Sequence, residues 1–426
     1  MIGGPSFLSG AESRLLPMSI PFRFFAAAGV FHILFWLSLA LSAADIAGFQ
    51  GGSGPALATI HLLTLGVMVM TVIGASVQLL PVATRRPVLA IWPLKVLFLL
   101  MLCGVPILVS GMALHHSLLM KAGSTIVTIA IIGYLIYIGE NLLRSKGYQA
   151  ISKYTGVALL CLFGLSVIGY LLIVNYSSGF FADHATFAEI HFILALFGFM
   201  GLLAFGFSFI LIPMFALSAS PTDRFTILLL VLSLIAISCG IAGALYNSPE
   251  LTMIALIIGT GAALYYAGSM IKLMKGGMRK RLGISFVLIR FSWAMLPVGL
   301  ILGAVFASGL TGNSPDWTLF GFIILVGWLL SLLLGIMQRI VPFLSSMHSS
   351  TNGKRPALLS FLTPERPLQI HAGCHLTAFA ITGAGIALGM EILIKVGALI
   401  GVVGAVAFLI FIRGVVQRLN EHLIKD

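Results

Sequence analysis

Charge is what this chain has least of: 8% of its 426 residues are Asp, Glu, Lys or Arg, against 59% hydrophobic. Soluble domains carry about a quarter of their residues as charges, so a water-coated globule is excluded. Cysteine is scarce as well. Cys103, Cys161, Cys239 and Cys374 all fall in apolar stretches and form no Cys-x-x-Cys pair, which excludes a disulfide framework and a thiolate zinc site. They read as small core residues. No carboxylate stands in the middle of an apolar run, and Lys95, Arg290 and Arg339 lie near run ends, where their stems can snorkel. The acid or lysine relay of a proton pump is therefore missing. A cleaved leader is not expected either: Gly3, Gly4, Pro5, Glu12, Arg14 and Pro17 precede a first apolar run that is too long for one and has no small-residue cleavage site behind it.

What is present is hydrophobic length. Apolar runs long enough to cross a bilayer are expected at 20–46, 56–82, 89–112, 118–140, 154–176, 186–214, 225–246, 251–272, 284–308, 317–343, 369–390 and 393–414. The class is all-α, a polytopic membrane protein of twelve transmembrane helices whose main partner is the lipid bilayer. Three of the runs share one punctuation: Gly66, Gly74 and Pro81; Gly198, Gly206 and Pro213; Gly327, Gly335 and Pro342. The motif recurs about every 130 residues, as in a protein built from one repeated unit. Twelve spans over three copies make four helices per unit, at 20–140, 154–272 and 284–414, within one membrane domain covering 1–426. In each unit the motif falls on the second helix. Glycines eight apart lie near one helix face and admit close approach of a neighbouring helix or a flat cofactor, while the prolines end or bend the spans.

Charge placement gives the topology. With the N-terminus inside, every one of the 24 lysines and arginines except Lys121 and Lys395 lies in or beside an inner segment, as the positive-inside rule requires. Both termini and the polar connector 345–368 are then cytoplasmic, in the inner membrane of a cell that has one. The net charge of +12 reports this topology, and nucleic-acid binding is not needed to explain it. The outer side is acidic, with Asp45, Asp183, Glu189, Glu250, Asp316 and Glu391. That is either a solvated rim or a face for a cationic partner.

Histidines within the spans are the candidates for chemistry. His61 heads the repeated helix of the first unit and His191 that of the second, each about two turns inside the outer end, where the third unit has Gly321 and Phe322. An ionisable group at that depth is a functional candidate, and imidazole ligates haem iron and copper. Ligation is the favoured reading for His61. His191 stands seven residues before its glycine and His61 five, so the two occupy different faces of their helices. His371 and His375 form an i, i+4 pair on one face of span 11, able to bind one metal or address two. His32, between Phe31 and Trp36, is a further buried candidate, for which an interhelical hydrogen bond is the favoured role.

These features carry a resemblance. Three arcs of four helices, an N-in topology, a histidine near the outer end of spans 2 and 6, and the span-2 text from His61 through Leu62, Leu63, Thr64, Leu65 and Gly66 to Gln78 and Pro81 resemble the large subunit of the haem-copper oxidase superfamily. Span 2 is most similar to the nitric-oxide-reductase branch and the related NnrS proteins of nitric-oxide stress. The resemblance implies that His61 is an axial ligand of a low-spin b-type haem, that His191 occupies the position of the first copper ligand, and that Gly66 and Gly74 let a porphyrin lie against the helix. The chain departs from the family in having no histidine in 225–246 and no His-x-His on span 10. His371 and His375 are the nearest substitutes for haem or copper ligation. Their span starts at the inner face, so a depth difference from His61 of roughly 10–15 Å is expected, too large for opposite ligands of one haem.

The expected function is a non-pumping, haem-binding membrane protein. It would act in electron transfer, or in binding or reducing nitric oxide or oxygen as an oxidoreductase, with haem b and copper as cofactors and a redox partner protein at the outer face. Two alternatives remain, a transporter of metal or haem and a cofactor-free assembly subunit. Oligomeric state is open. Cysteines placed in 345–368 or at either terminus are expected to react with a membrane-impermeant maleimide only after the cytoplasmic side is opened, and labelling from outside in intact cells would reverse the assignment.

Overall fold

The computed structural model of the chain describes residues 14–86, 90–145, 149–180, 182–310, 316–349 and 356–425. The leader glycines and Glu12, together with Lys146, Lys354 and Arg355 of the basic clusters, lie outside the described residues. Helices of length and apolarity sufficient to cross a membrane number twelve, and no strand occurs among the described residues. The spans are Ser19–Leu41, Pro55–Ala83, Trp92–Ala113, Ser117–Leu143, Ala150–Ser178, His184–Ala216, Asp223–Tyr246, Pro249–Gly276, Ser285–Ala307, Trp317–Ser349, Glu365–Ala387 and Glu391–Ile424, numbered 1 to 12. The chain is an integral membrane protein. The side bearing the termini is called inner below, the opposite side outer.

A helix closes its backbone hydrogen bonds within one segment, which lets each apolar run cross hydrocarbon without exposing polar backbone. Side chains outside the apolar runs close the ends. Asp183, Thr222, Ser248 and Asp316 each accept a backbone N–H at the start of spans 6, 7, 8 and 10.

Spans 2, 6 and 10, the three inner helices, are the most buried, with span 1 next at 61%. In spans 2, 6 and 10 the buried share of the most apolar window is 67, 67 and 78%, against 33% in spans 5, 7 and 8. Span 12 packs along span 1 and closes a ring whose other junctions are spans 4 with 5 and 8 with 9. Each inner helix packs on the span before it through the repeated glycines. A Cβ on Gly66 would lie 2.7 Å from Phe31, and on Gly74 2.8 Å from Phe24, both on span 1. Gly198 and Gly206 meet Cys161 and Tyr154 of span 5 at 2.8 Å each, and Gly335 meets Ile289 of span 9 at 2.8 Å. These glycines therefore serve helix packing; the space beside Gly66 and Gly74 is filled by phenylalanine rings, with no room left for a porphyrin.

The inner helices share a second feature. Each contains one π-helical stretch of eight residues, Leu62–Val69, Leu194–Gly201 and Ile323–Leu330, with Gly66, Gly198 or Gly327 as its fifth residue. A hydroxyl pair also recurs in the first two units: Tyr134 Oη to Ser76 Oγ at 2.9 Å and Tyr266 Oη to Ser208 Oγ at 2.7 Å. Met337 stands two residues past Gly335, where the serines stand past Gly74 and Gly206, so the third unit lacks the pair. Coincident registers of this kind are what repetition of one four-helix unit would produce.

Several boundaries differ from those expected. Span 1 stops at Leu41, where Ser42 turns the chain into the short helix Ala43–Ala47. Span 10 continues through Pro342 to Ser349, because Ser345 and Ser349 return their hydroxyls to the carbonyls of Val341 and Ser346. The connector expected from 345 therefore begins inside the helix and contains another short one, Leu359–Leu362.

Spans 3 and 4 touch backbone to backbone: a Cβ on Gly123 would overlap Leu108, and one on Gly111 would overlap Met120. Gly123→Val is expected to cost about 1–3 kcal/mol through overpacking. It should lower the melting midpoint in detergent, whereas Gly133→Val, whose Cβ meets nothing within 4 Å, should leave it near that of the unaltered protein.

Candidate functional site: two histidine clusters

A cavity of about 1600 Å³ opens between the three inner helices toward the outer side, walled chiefly by apolar side chains of spans 2, 5, 6 and 10. Among its described lining residues the full charges are all acidic, Asp183, Glu189 and Asp316. Thr186 donates its hydroxyl (2.5 Å) and its backbone N–H (3.1 Å) to Asp183, holding that carboxyl below its usual range. The mouth of the cavity thus keeps negative charge at neutral pH.

His61 and His191 both face this cavity. Their ring centres are 6.5 Å apart and their planes are inclined by 25°. Each ring is held by the same device. His61 Nδ1 lies 3.0 Å from the Leu57 carbonyl, one turn back on its own helix, and His191 Nδ1 lies 2.9 Å from the Leu165 carbonyl of span 5. A carbonyl only accepts, so Nδ1 carries the proton in both rings and the lone pair sits on Nε2. Neither Nε2 has a hydrogen-bond partner among the described residues. Gly169 makes the second bond feasible, since a Cβ there would stand 2.7 Å from His191 Cε1.

The spacing has a chemical meaning. A metal bonded to both Nε2 atoms at about 2.0–2.1 Å would hold the two ring centres roughly 6–6.5 Å apart. An Nδ1–H given to a carbonyl, with Nε2 left bare, is also how metal-binding imidazoles are usually oriented and made more basic. Different helix faces, read from the sequence as separating the two residues, are what lets them meet.

His371 and His375 do not line the cavity. They pack with His32 in a sealed core where the three residues are 0 to 1% exposed, with ring centres 6.1 Å apart for His32 and His371 and 5.8 Å for His371 and His375. Trp36 Nε1 donates to His32 Nε2 at 3.0 Å, which occupies that ring's lone pair and leaves its proton on Nδ1. An interhelical hydrogen bond was expected of His32, whereas this one runs within span 1. Ser331 gives its hydroxyl proton to the Val326 carbonyl (2.8 Å) and so accepts from His375 Nε2 (2.8 Å). His375 Nδ1 is therefore bare. The Gln338 carboxamide lies 2.9 Å from His371 Nδ1.

The clusters occupy different depths. Gly66, five residues below His61, faces Phe31, the neighbour of His32. The cluster around His32 therefore lies at a different level along span 2 from the cavity pair. His115 and His116 stay at the outer surface, His115 bonded to Ser53 and His116 capping span 4.

The sequence reading missed Gly169 and the Leu165 carbonyl, because a small residue and a backbone group of span 5 carry no chemical signature. It also missed Ser331 and Gln338, although Gln338 follows the repeated Gly335 by three residues. No set of three or more His, Cys, Asp or Glu side chains among the described residues stands ready to hold a metal ion. Neither protein-family models nor curated proteins give a match to the chain.

Proposed function

We propose that this chain is a haem-binding electron-transfer protein of the membrane, in which His61 and His191 would together hold one b-type haem. The observation that carries the reading is the pair itself: two imidazoles on different helices with ring centres 6.5 Å apart, each with Nδ1 tied to a carbonyl and Nε2 without a hydrogen-bond partner among the described residues. This departs from the family-derived role of His191 as a copper ligand. Such a haem would supply a one-electron couple, and with both histidines on its iron it would leave no open position for nitric oxide or oxygen. Electron transfer is therefore favoured over diatomic reduction. The chain's own residues do the holding. The carbonyls of Leu57 and Leu165 fix tautomer and ring direction, Gly169 gives the His191 ring its place, and the apolar wall limits water. With acids at the mouth, the redox partner is a protein with a basic face docking from outside.

One observation favours a second reading. A haem's carboxylates would meet no lysine or arginine among the described lining residues, whereas Asp183, Glu189 and Asp316 suit a bare cation. Under that reading the pair is a way-station for a transported metal.

An optical spectrum of protein purified with haem supplied separates the two. The expected result is a Soret band with sharp low-spin α and β bands on dithionite reduction. His61→Ala and His191→Ala should each lose the low-spin signal or turn it high-spin. Gly169→Val should reduce bound haem, because its side chain collides with the His191 ring. A protein without a Soret band under these conditions ends the haem reading.

A further inference from the structure

We propose that the inner end of span 12 carries a site for one phospholipid, whose headgroup has a primary amine two carbons from its phosphate. The site lies on the opposite side of the membrane from the mouth of the large cavity and does not depend on what that cavity holds.

The argument starts from one helix face. Ile410, Arg413, Gly414, Gln417, Arg418 and Glu421 follow the spacing i, i+3, i+4, i+7, i+8, i+11, which sets them in a single stripe along span 12. With Pro364 and Pro367, from the start of span 11, they wall a cavity of about 390 Å³. Gly414 lets the two spans close on one another here, since a Cβ on it would stand 3.1 Å from Pro364 Cγ. Toward the middle of the membrane the stripe continues through Val406, Val403 and Leu399, all exposed and apolar. Along one line the surface therefore runs from apolar, through two arginines, to a carboxylate nearest the aqueous side.

That order selects the ligand. The two ion pairs between described residues lie elsewhere, Glu140 with Arg144 and Glu391 with Lys395, so these arginines are not neutralised by an acid of the chain. Arg418 gives Nη1 to the Phe361 carbonyl at 2.8 Å, which steadies its guanidinium and leaves other N–H groups to donate. Guanidinium groups bind phosphate through short charge-assisted hydrogen bonds, and basic pockets between helices on this side of a membrane take lipid headgroups. A ligand with negative charge alone would be repelled by Glu421. One turn separates Glu421 from Arg418, about 4.5 Å along the helix axis, which suits an ammonium joined to the phosphate by two carbons. The apolar strip beside Ile410 suits acyl chains, so the headgroup belongs to a lipid and not to a soluble phosphate.

The test uses the full chain in detergent, stripped of lipid and then offered phosphatidylethanolamine, phosphatidylcholine or phosphatidylglycerol with the same acyl chains. Native mass spectrometry counts the lipid retained. One phosphatidylethanolamine per chain should survive activation that removes the other two, because phosphatidylglycerol has no ammonium and the quaternary ammonium of phosphatidylcholine has no N–H for Glu421. Arg413→Gln should weaken retention about 5–10-fold. Glu421→Gln should abolish the preference over phosphatidylglycerol while phospholipid is still bound. Arg413 and Glu421 are exposed, so neither variant disturbs the packed core. Glycerophosphoethanolamine, the same headgroup without acyl chains, should not compete. The proposal is overturned if the unaltered protein retains phosphatidylglycerol or phosphatidylcholine as well as phosphatidylethanolamine, or if either variant behaves as the unaltered protein does. Displacement of the lipid by glycerophosphoethanolamine or inorganic phosphate would also overturn it, and would make the site one for a soluble anion.

Discussion

Two hydrogen bonds determine what the cavity can be used for, those from His61 Nδ1 and His191 Nδ1 to the carbonyls of Leu57 and Leu165. In a membrane interior an imidazole without such an anchor turns to whatever polar group it finds, and its tautomer is undefined. Here both acceptors are backbone oxygens, which cannot donate and cannot be lost to a change of side chain. Each ring therefore presents one lone pair in one direction. The packing of Gly169 against His191 and the apolar walls only have meaning because that direction is fixed.

The positions of His61 and His191 also show how helices that share a glycine register make an asymmetric site. His191 is displaced by two residues from the register of His61 relative to the repeated glycines, and two residues turn a side chain by about 200° around its helix. Span 6 thereby faces back toward span 2. The third inner helix has Gly321 and Phe322 at this level, so the cavity has two histidines and an apolar third wall.

Much of the architecture was legible in the sequence because a bilayer reads composition directly: apolar length gave twelve helices, and the glycine register gave the inner three. The histidines were legible as residue types and not as partners. His61 and His191 are far apart in the chain, and a helical-wheel comparison could say that their faces differ without saying that the cavity requires it. The π-helical stretches were invisible, since Leu62–Val69 and its counterparts have ordinary apolar composition. Their effect reaches the inner cluster: Ser331 bonds the carbonyl of Val326, five residues back, and so becomes an acceptor for His375. Gly66 and Gly74 were recognised as close-approach positions, but only the structure identifies the approaching groups as phenylalanines.

Ring closure has a consequence for how the molecule is made. Span 12 carries Phe408, whose ring lies 4.9 Å from that of His371, and Gly401, where a side chain would overlap Trp36. Of the twelve spans it is made last. Until it docks on span 1, the packed core around His32, His371 and His375 lacks one wall; once docked, the core is shut. Docking of span 12 is therefore also the step that takes these three imidazoles out of reach of solvent.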